Sequence, residues 1–352
     1  MVEKAKSRVC FIVRGLHDVG GIERVTIVVA GMLPDVGYSV DILCIQEGEP
    51  YFSIPNKINL HYLKDEEGWS RKSKLQNWLR RNNPNVIVVS GTNRPLFILQ
   101  AVGDCPIIAW EHVNATIYSH PFHNLYRYFY AKRAKVVTLS KGDQDAWKKK
   151  FPKADITCIP NPITLPKASP STLERKCILS IGRLAGQKGY DLLIEAWSLI
   201  EQQHPDWILR IVGSGRWEKR LRKQISELGI ENRIEMVPAT PKVIEEYQNA
   251  SIFALSSRYE GFGLVLVEAM QMGLPIVSFD CPFGPREIIS DGETGILVPN
   301  GDIQQLANAL SYLILHPTTR AEMSKEALQQ VERYSSNSLV KKWSHLIDSL
   351  TN

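Results

Sequence analysis

Short runs of Val, Ile and Leu alternate with longer amphipathic stretches along nearly the whole chain. Continuous apolar runs of this length predict strands that are buried on both faces, and the stretches between them predict helices. In the first half such runs occupy residues 8–13, 39–45, 86–89, 107–110, 136–139 and 156–159. A second set follows at residues 177–181, 208–212, 234–237, 252–255, 276–279 and 295–298.

Strands that alternate with helices predict an α/β fold with two doubly wound parallel sheets. Residues 160–176 contain four prolines between the two sets and predict a linker or hinge. We therefore predict domains at residues 1–165 and 166–335, and a C-terminal helix at 336–352 that packs back on the first domain. Ligands bind at the carboxyl ends of the strands in such sheets, so the chemistry is expected in the loops there, facing a central cleft.

Composition narrows the class of protein. The chain has 352 residues, of which 44% are apolar and 22% charged, as in globular proteins of two domains. The net charge of +5 is uneven, with +7 on residues 1–165 and −2 on the rest, so the first half is the basic half. The +7 is spread out and no nucleic-acid-binding module is recognised, so we predict no nucleic-acid partner. The six cysteines form no C-x-x-C pair and no apolar stretch reaches membrane-spanning length, which predicts a cytoplasmic protein with reduced thiols.

The stretch RYEGFGLVLVEAMQM combines two acids with a glycine turn. Glu260 precedes Gly261, Phe262 and Gly263, and Glu268 falls about one turn into the helix predicted from Leu264. Exposed N–H groups at such a turn suit a phosphate, and the acids suit a polyol. A buried helix with two incidental acids is the alternative.

Two basic residues follow the first strand of the second set. Arg183 and Lys188 lie in the loop GRLAGQKG ahead of a helix predicted at residues 190–200. An arginine fork and a lysine point charge beside a helix N-terminus suit a diphosphate. Solvated surface charges explain the same residues equally well.

Weaker signals lie in other loops. Gly21 in a double glycine and Gly213 in a G-x-G both follow strands, where a ligand loop and an ordinary tight turn are both compatible with the sequence. His112 follows a strand in the basic half and suits a phosphate or a sugar hydroxyl, with a structural histidine as the alternative. The D-x-D at Asp143 to Asp145 predicts an exposed helix start that caps the dipole, so we assign no metal site.

Three segments together carry a family resemblance: GRLAGQKG, SSRYEGFGLVLVEAMQMGLPIV and GPREIISDGETGILVPNGD. In order and spacing they resemble the retaining GT-B glycosyltransferases of family 4. The resemblance covers most of residues 176–315, whereas the first half matches only through Gly20-Gly21 and Glu111-His112.

This resemblance implies a GT-B fold with an acceptor domain first and a nucleotide-sugar domain second. It implies that Arg183 and Lys188 bind the donor diphosphate, that Glu260 faces the sugar hydroxyls and that Glu268 holds the ribose diol. Further donor contacts would come from Gly21, Gly213, Val237, Ala239, Gly261, Phe262, Gly263 and Leu264, with His112 among the catalytic residues. Family members often have a glycine where this chain has Met236-Val237-Pro238-Ala239, so the contacts to the base stay open.

The function implied is transfer of a hexosyl unit with retention at the anomeric carbon, without a metal or other cofactor. UDP-galactose, UDP-glucose or UDP-N-acetylhexosamine is the expected donor, and a lipid-linked glycan, lipopolysaccharide or polysaccharide the expected acceptor. A GT-B-type nucleotide-sugar epimerase and a non-catalytic nucleotide-sugar-binding protein are the alternatives.

Two basic segments of the first half predict peripheral contact with an anionic membrane at its cytoplasmic face. Residues 69–81 carry five basic residues with Trp69, Leu75, Trp78 and Leu79, and residues 123–135 add aromatic and basic residues. A helix packed on one face and solvated on the other is the alternative.

Overall fold

The computed structural model describes residues 6–18, 20–63, 70–91, 96–116 and 121–351, without the side chains of residues 121–123. The chain divides into two compact units. Unit 1 comprises Met1–Thr164 and Tyr334–Asn352, and unit 2 comprises Leu165–Arg333. The two parallel-sheet α/β units confirm the predicted fold class.

Unit 1 contains a parallel sheet of seven strands in the order β3-β2-β1-β4-β5-β6-β7. The strands are β1 (Arg8–Val13), β2 (Ser39–Cys44), β3 (Ile58–Tyr62), β4 (Val86–Ser90), β5 (Ile107–Trp110), β6 (Lys135–Thr138) and β7 (Ile156–Cys158). The helices are α1 (Gly21–Met32), α2 (Arg71–Asn82), α3 (Phe97–Ala101), α4 (Pro121–Arg133) and α5 (Lys141–Lys150), with α13 (Ser336–Thr351) at the C-terminus.

Unit 2 contains a parallel sheet of six strands in the order β10-β9-β8-β11-β12-β13. The strands are β8 (Cys177–Ile181), β9 (Ile208–Val212), β10 (Ile234–Val237), β11 (Ile252–Leu255), β12 (Ile276–Asp280) and β13 (Gly295–Pro299). The helices are α6 (Tyr190–Ser198), α7 (Glu218–Leu228), α8 (Val243–Gln248), α9 (Leu264–Gln271), α10 (Pro285–Ile288), α11 (Ile303–Leu315) and α12 (Pro317–Gln330).

The central strands are buried as their apolar sequences predict. Every residue of β4 and of β11 is buried, because helices cover both faces of a doubly wound sheet. Strand β3 was not predicted, because its sequence INLHY mixes polar with apolar positions. It lies at the edge of the sheet, where the demand for apolar residues on both faces is weaker.

The C-terminal helix α13 folds with unit 1. The Tyr38 hydroxyl donates to Asp348 Oδ1 at 2.5 Å, and the Trp343 ring lies 5.0 Å from the Trp110 ring in an edge-on contact. Trp343 is fully buried, so the helix is part of the core of this unit.

The proline-rich segment between the two sets of strands is coil, as predicted, but hydrogen bonds hold it in place. In unit 1 the Ile163 N–H donates to Tyr334 O at 2.9 Å. In unit 2 the Ser171 N–H donates to Met272 O at 2.9 Å, and the Ser171 hydroxyl donates to Ala250 O at 2.5 Å. Each end of the segment is therefore fixed to its own unit.

A buried carboxylate connects the first three strands of unit 1. Asp41 on β2 is fully buried and accepts hydrogen bonds from Arg8 at 2.5 and 3.0 Å, and the His61 ring nitrogen lies 3.0 Å from its Oδ1. Burial raises the pKa of Asp41, but the hydrogen bonds from Arg8 and His61 and the charge of Arg8 lower it more. The pKa therefore lies below the usual value for an aspartate.

This lowered pKa predicts how stability depends on pH. Because the folded-state pKa of Asp41 lies below its unfolded value, about 4, ionised Asp41 stabilises the fold above that pH. The contribution is lost as the pH falls through the folded-state pKa. In Asp41→Asn we expect the free energy of unfolding to depend less on pH in this acidic range, by up to about 1.4 kcal/mol per pH unit. Urea unfolding at neutral and acidic pH measures this; parallel pH profiles for the two proteins would contradict it.

Candidate functional site

A lysine and a glutamate meet at the carboxyl edge of the unit 2 sheet. Lys188 Nζ lies 2.7 Å from Glu260 Oε1, and the Ser257 hydroxyl donates to the same oxygen at 2.5 Å. Lys188 follows β8 and Glu260 follows β11, and these strands are neighbours in the sheet. Only 5% of Glu260 is exposed, so the pair is held in a shielded environment where charge interactions are strong.

A second ion pair fixes the two loops to each other. Arg258 donates to both carboxylate oxygens of Asp191, at 2.9 and 2.8 Å, and to Gly186 O at 2.8 Å. Burial raises the pKa of Asp191, but the hydrogen bonds and charge of Arg258 lower it below the usual value. The Arg258 N–H also donates to Gln187 O at 2.8 Å. Lys188 and Glu260 are thus positioned by a rigid frame.

The loops after β8, β9 and β10 lie side by side along the same edge. A Cβ at Gly213 would lie 1.9 Å from Gly182 O, so only glycine permits this close approach. The Gly213 N–H donates to Val237 O at 2.9 Å, and the Ala239 N–H donates to the Ser214 hydroxyl at 3.2 Å. Gly213, Val237 and Ala239 therefore lie in adjoining segments.

The glycine turn leads directly into α9. Gly263 has φ +92°, which favours glycine, and α9 begins at Leu264, with Phe262 buried just before the turn. Glu268 on α9 is 3% exposed, and its Oε2 accepts a 2.9 Å hydrogen bond from the Tyr247 hydroxyl. The first-turn N–H groups of a helix point out of its N-terminal end, towards any ligand bound there.

The remaining predicted residues lie in two places. Arg183 is exposed in the loop after β8, and Gly261 is half-buried between Glu260 and Phe262. In unit 1, Gly21 is the exposed first residue of α1. His112 directly follows Glu111 at the end of β5; its Nε2 lies 2.9 Å from the Ser90 hydroxyl and its ring 4.4 Å from the Trp110 ring.

A buried arginine holds the segment that carries His112. Arg127 on α4 contacts Glu111 Oε2 at 3.4 Å and donates to the carbonyl oxygens of Ala115 at 2.8 Å, Val113 at 3.0 Å and Asn114 at 3.1 Å. Both side chains of the ion pair are 3% exposed. The path of the chain after β5 is therefore set from α4.

Asp143 supports this segment from α5. Its Oδ1 accepts a 2.8 Å hydrogen bond from the Ala115 N–H. The prediction of an exposed helix start is wrong at this position, since Asp143 is only 2% exposed, although Asp145 is exposed. The side chain serves a neighbouring loop, which local sequence does not reveal.

Replacing Arg127 by lysine tests this arrangement. An ammonium cannot span the carboxylate and three carbonyl groups that the guanidinium reaches, so we expect Arg127→Lys to lower the free energy of unfolding by about 1–2 kcal/mol. Urea unfolding measures this loss. Arg80→Lys is the matched control, because Arg80 is an exposed arginine on α2 of the same unit. Equal losses in the two variants would contradict a clamping role.

Several partners of the predicted residues were not anticipated. Ser257 and Arg258 lie within three residues of Glu260, so their proximity in sequence could have marked them. Asp191 could have been noted as an acid in the first turn of the helix after Lys188. Tyr247 carries no local signal, because it contacts Glu268 from a different helix.

Two all-parallel sheets in separate units, with basic and acidic residues at the carboxyl edge of the second, are the features that the resemblance to GT-B glycosyltransferases predicts. Family comparisons give the same class. Residues 163–330 match the model of the family described as Glycosyl transferases group 1, and residues 19–166 match that of Glycosyltransferase Family 4.

Similar proteins match over the whole chain. An uncharacterized glycosyltransferase of Haemophilus influenzae is 32% identical over 351 residues, covering 97% of this chain and 99% of its own. The amylovoran biosynthesis glycosyltransferase AmsD of Erwinia amylovora is 25% identical over 359 residues, covering 97% and 99%. A crystal structure of a mutant S. aureus TarM with Fondaparinux, alpha-GlcNAc-glycerol and UDP has a TM-score of 0.85 at 15% identity, covering 97% of this chain and 100% of that one. The chain belongs to the GT-B glycosyltransferases of family 4, so the predicted family is confirmed, while retention stays a prediction.

Proposed function

We propose that this glycosyltransferase moves a hexosyl unit from a UDP-sugar to a glycan or lipid-linked glycan acceptor, with retention and without a metal. UDP-galactose, UDP-glucose and UDP-N-acetylhexosamine are the proposed donors. Two similarities support the substrate classes: the TarM crystal structure contains UDP and alpha-GlcNAc-glycerol, and AmsD is named for amylovoran biosynthesis. Lipopolysaccharide and other surface polysaccharides are the acceptors that we propose for this chain.

The contact between Lys188 Nζ and Glu260 Oε1, at 2.7 Å, carries this proposal. An ammonium has three N–H donors, so Lys188 can hold Glu260 and a phosphate oxygen together. Arg183, exposed in the same loop, adds a guanidinium that can grip the diphosphate with two parallel hydrogen bonds. The two cations supply the charge stabilisation that a metal provides in other transferases.

The two acids have different roles in this proposal. Glu260 is fixed through Oε1 by Lys188 and Ser257 and accepts hydrogen bonds from the donor sugar. Glu268, oriented by Tyr247, accepts them from the ribose diol. The N–H groups of Gly261, Phe262, Gly263 and Leu264 lie near the phosphates, and Gly213, Val237 and Ala239 near the nucleoside.

The transfer proceeds by substitution on one face of the sugar. The bond from the anomeric carbon to the phosphate oxygen breaks as the bond to the acceptor oxygen forms on the same side. The acceptor proton passes to the departing phosphate, whose negative charge Arg183 and Lys188 stabilise. The family resemblance assigns His112 to the donor sugar and Gly21 to the diphosphate, and we keep both assignments as part of the proposal.

Donor identity and stereochemistry are tested separately. A thermal-shift screen of the full chain against UDP-, GDP- and ADP-sugars should give stabilisation by UDP-sugars, because a ligand that binds only the folded state raises the midpoint. Stabilisation by GDP- or ADP-sugars alone would reject the proposed donors. NMR should show that the product has the same anomeric configuration as the donor sugar, and an inverted configuration would reject retention.

The epimerase and the non-catalytic alternatives receive no support, because both relatives described above are named as glycosyltransferases. Release of UDP that depends on an added acceptor distinguishes transfer from both alternatives.

No helix within the described residues is long and apolar enough to cross a membrane. We propose a cytoplasmic location with peripheral membrane contact.

A further inference from the structure

Helix α4 exposes large apolar side chains on one face. Leu125, Tyr128 and Phe129 are 44%, 43% and 41% exposed, and Lys132 is exposed beside them. Their spacing of three, four and seven residues places all four on the same side of the helix. Arg127 and Tyr130 on the opposite side are buried. One face of the helix is therefore buried in the core, and the opposite face exposes apolar side chains to solvent.

Lysines border this apolar face. The Lys132 ammonium lies 4.5 Å from the Tyr128 ring centroid. Residues 148–150 at the end of α5 are three exposed lysines, and Lys150 Nζ lies 2.5 Å from Asn124 Oδ1 on α4. We call Leu125, Tyr128, Phe129, Lys132 and residues 148–150 the α4 surface.

The local charge is strongly positive. Residues 121–155 contain nine Lys and Arg and three Asp, of which Asp143 is buried, while Arg127 is buried against Glu111 and Lys135 pairs with Asp155. A surface that combines aromatic and aliphatic side chains with a lysine border matches a bilayer that carries anionic headgroups. Lysine is depleted at protein–protein interfaces, which disfavours a protein partner. Binding to the phosphate backbone of a nucleic acid needs no exposed Leu or Phe, which disfavours a nucleic acid. Charge and apolar character together favour an anionic membrane.

Within its described residues, 70–81, the other basic segment of unit 1 has no exposed apolar face. On α2, Leu75 and Leu79 are 1% and 8% exposed, and Trp78 packs against the core and edge-on to His61. The apolar residues of this helix are directed inward, as the packed-helix alternative requires, and Trp69 lies outside the described residues. Of the two basic segments, α4 is therefore the one whose described residues expose large apolar side chains.

We propose that the α4 surface docks the protein onto an anionic lipid bilayer. Leu125, Tyr128 and Phe129 enter the boundary between headgroups and acyl chains, while the lysines stay at the level of the lipid phosphates. The proposal does not rest on the donor or on the transfer reaction, because the docking residues are separate from those proposed to bind the nucleotide sugar.

Vesicle flotation of the full chain tests this docking. The chain should float with vesicles of equal parts phosphatidylcholine and phosphatidylglycerol, and much less with phosphatidylcholine alone. Lys148→Gln with Lys149→Gln should lower the partition coefficient about 25-fold, since each lysine near such a surface contributes about a fivefold factor. Phe129→Ser should lower it about tenfold through lost apolar burial.

Matched controls lie on unit 2. Leu315→Ser removes a side chain that is 63% exposed, and Lys219→Gln with Lys223→Gln removes two exposed lysines from α7. Both controls should float like the wild type, and all variants should keep the wild-type thermal midpoint. Equal flotation with neutral vesicles, or equal losses in the controls, would overturn the proposal. If the wild type does not bind vesicles but self-associates in gel filtration, and Phe129→Ser abolishes this self-association, the surface binds a second copy of the chain instead.

Discussion

Lys188→Met should lower the rate of acceptor-dependent UDP release about 100- to 1000-fold, the usual cost of losing one group that stabilises transition-state charge. Methionine keeps an unbranched apolar stem as far as Cε but lacks the ammonium that contacts Glu260. The proposed leaving group then develops its charge with only Arg183 nearby. Steady-state kinetics with the donor identified by thermal shift measures the effect.

The matched control is Lys176→Met. Lys176 immediately precedes β8, at the opposite edge of the same sheet, and its ammonium forms a 2.7 Å ion pair with Asp206. The variant therefore loses an ion pair of the same length in the same unit, but one that is exposed and remote from the proposed site. We expect near-wild-type kinetics. A loss below about tenfold for Lys188→Met, or a similar loss in the control, would contradict the assignment.

Glu268→Gln should weaken binding of UDP about 10- to 100-fold, because hydrogen bonds to a charged acceptor contribute roughly 1.5–3 kcal/mol. Glutamine keeps one oxygen acceptor but replaces the other with a donor, so it cannot accept from both ribose hydroxyls as a carboxylate does. Calorimetric titration measures the affinity. Tyr247→Phe provides a milder change, since it removes the 2.9 Å hydrogen bond to Glu268 without touching the carboxylate.

The fold was largely predictable because its sheets are buried on both faces. The predicted limits of β1, 8–13, and of β8, 177–181, match the structure. Edge strand β3 escaped prediction because polar residues are tolerated there. The other edge strands, β7, β10 and β13, have recognisable apolar runs and were predicted, so the mixed sequence of β3 explains the miss.

The candidate site was only partly predictable. Parallel strands place all their carboxyl ends at one edge, so Lys188 and Glu260 were both expected there. Their direct contact depends on β8 and β11 being neighbours, and strand order is not encoded in the apolar pattern. The contact between Arg127 and Glu111 was also unpredictable, because the packing of α4 against the sheet decides which side chains meet.

The amphipathic pattern of unit 1 illustrates a similar ambiguity. The sequence suggested membrane contact chiefly by the basic residues and tryptophans of residues 69–81, which include α2, with residues 123–135, which include most of α4, adding to it. Packing separates them, because α2 buries Leu75 and Leu79 whereas α4 leaves Tyr128 and Phe129 exposed. The spacing of apolar residues identifies a face, but it does not say whether protein or solvent covers it.

The separate roles of the two glutamates are the central claim, and calorimetric titration with UDP alone tests it most directly. UDP contains the ribose and the diphosphate but no donor sugar, so only nucleotide contacts contribute to its affinity. Glu260→Gln should bind UDP within about threefold of the wild type, whereas Glu268→Gln should bind it about 10- to 100-fold more weakly. Equal effects of the two substitutions on UDP affinity would contradict the account.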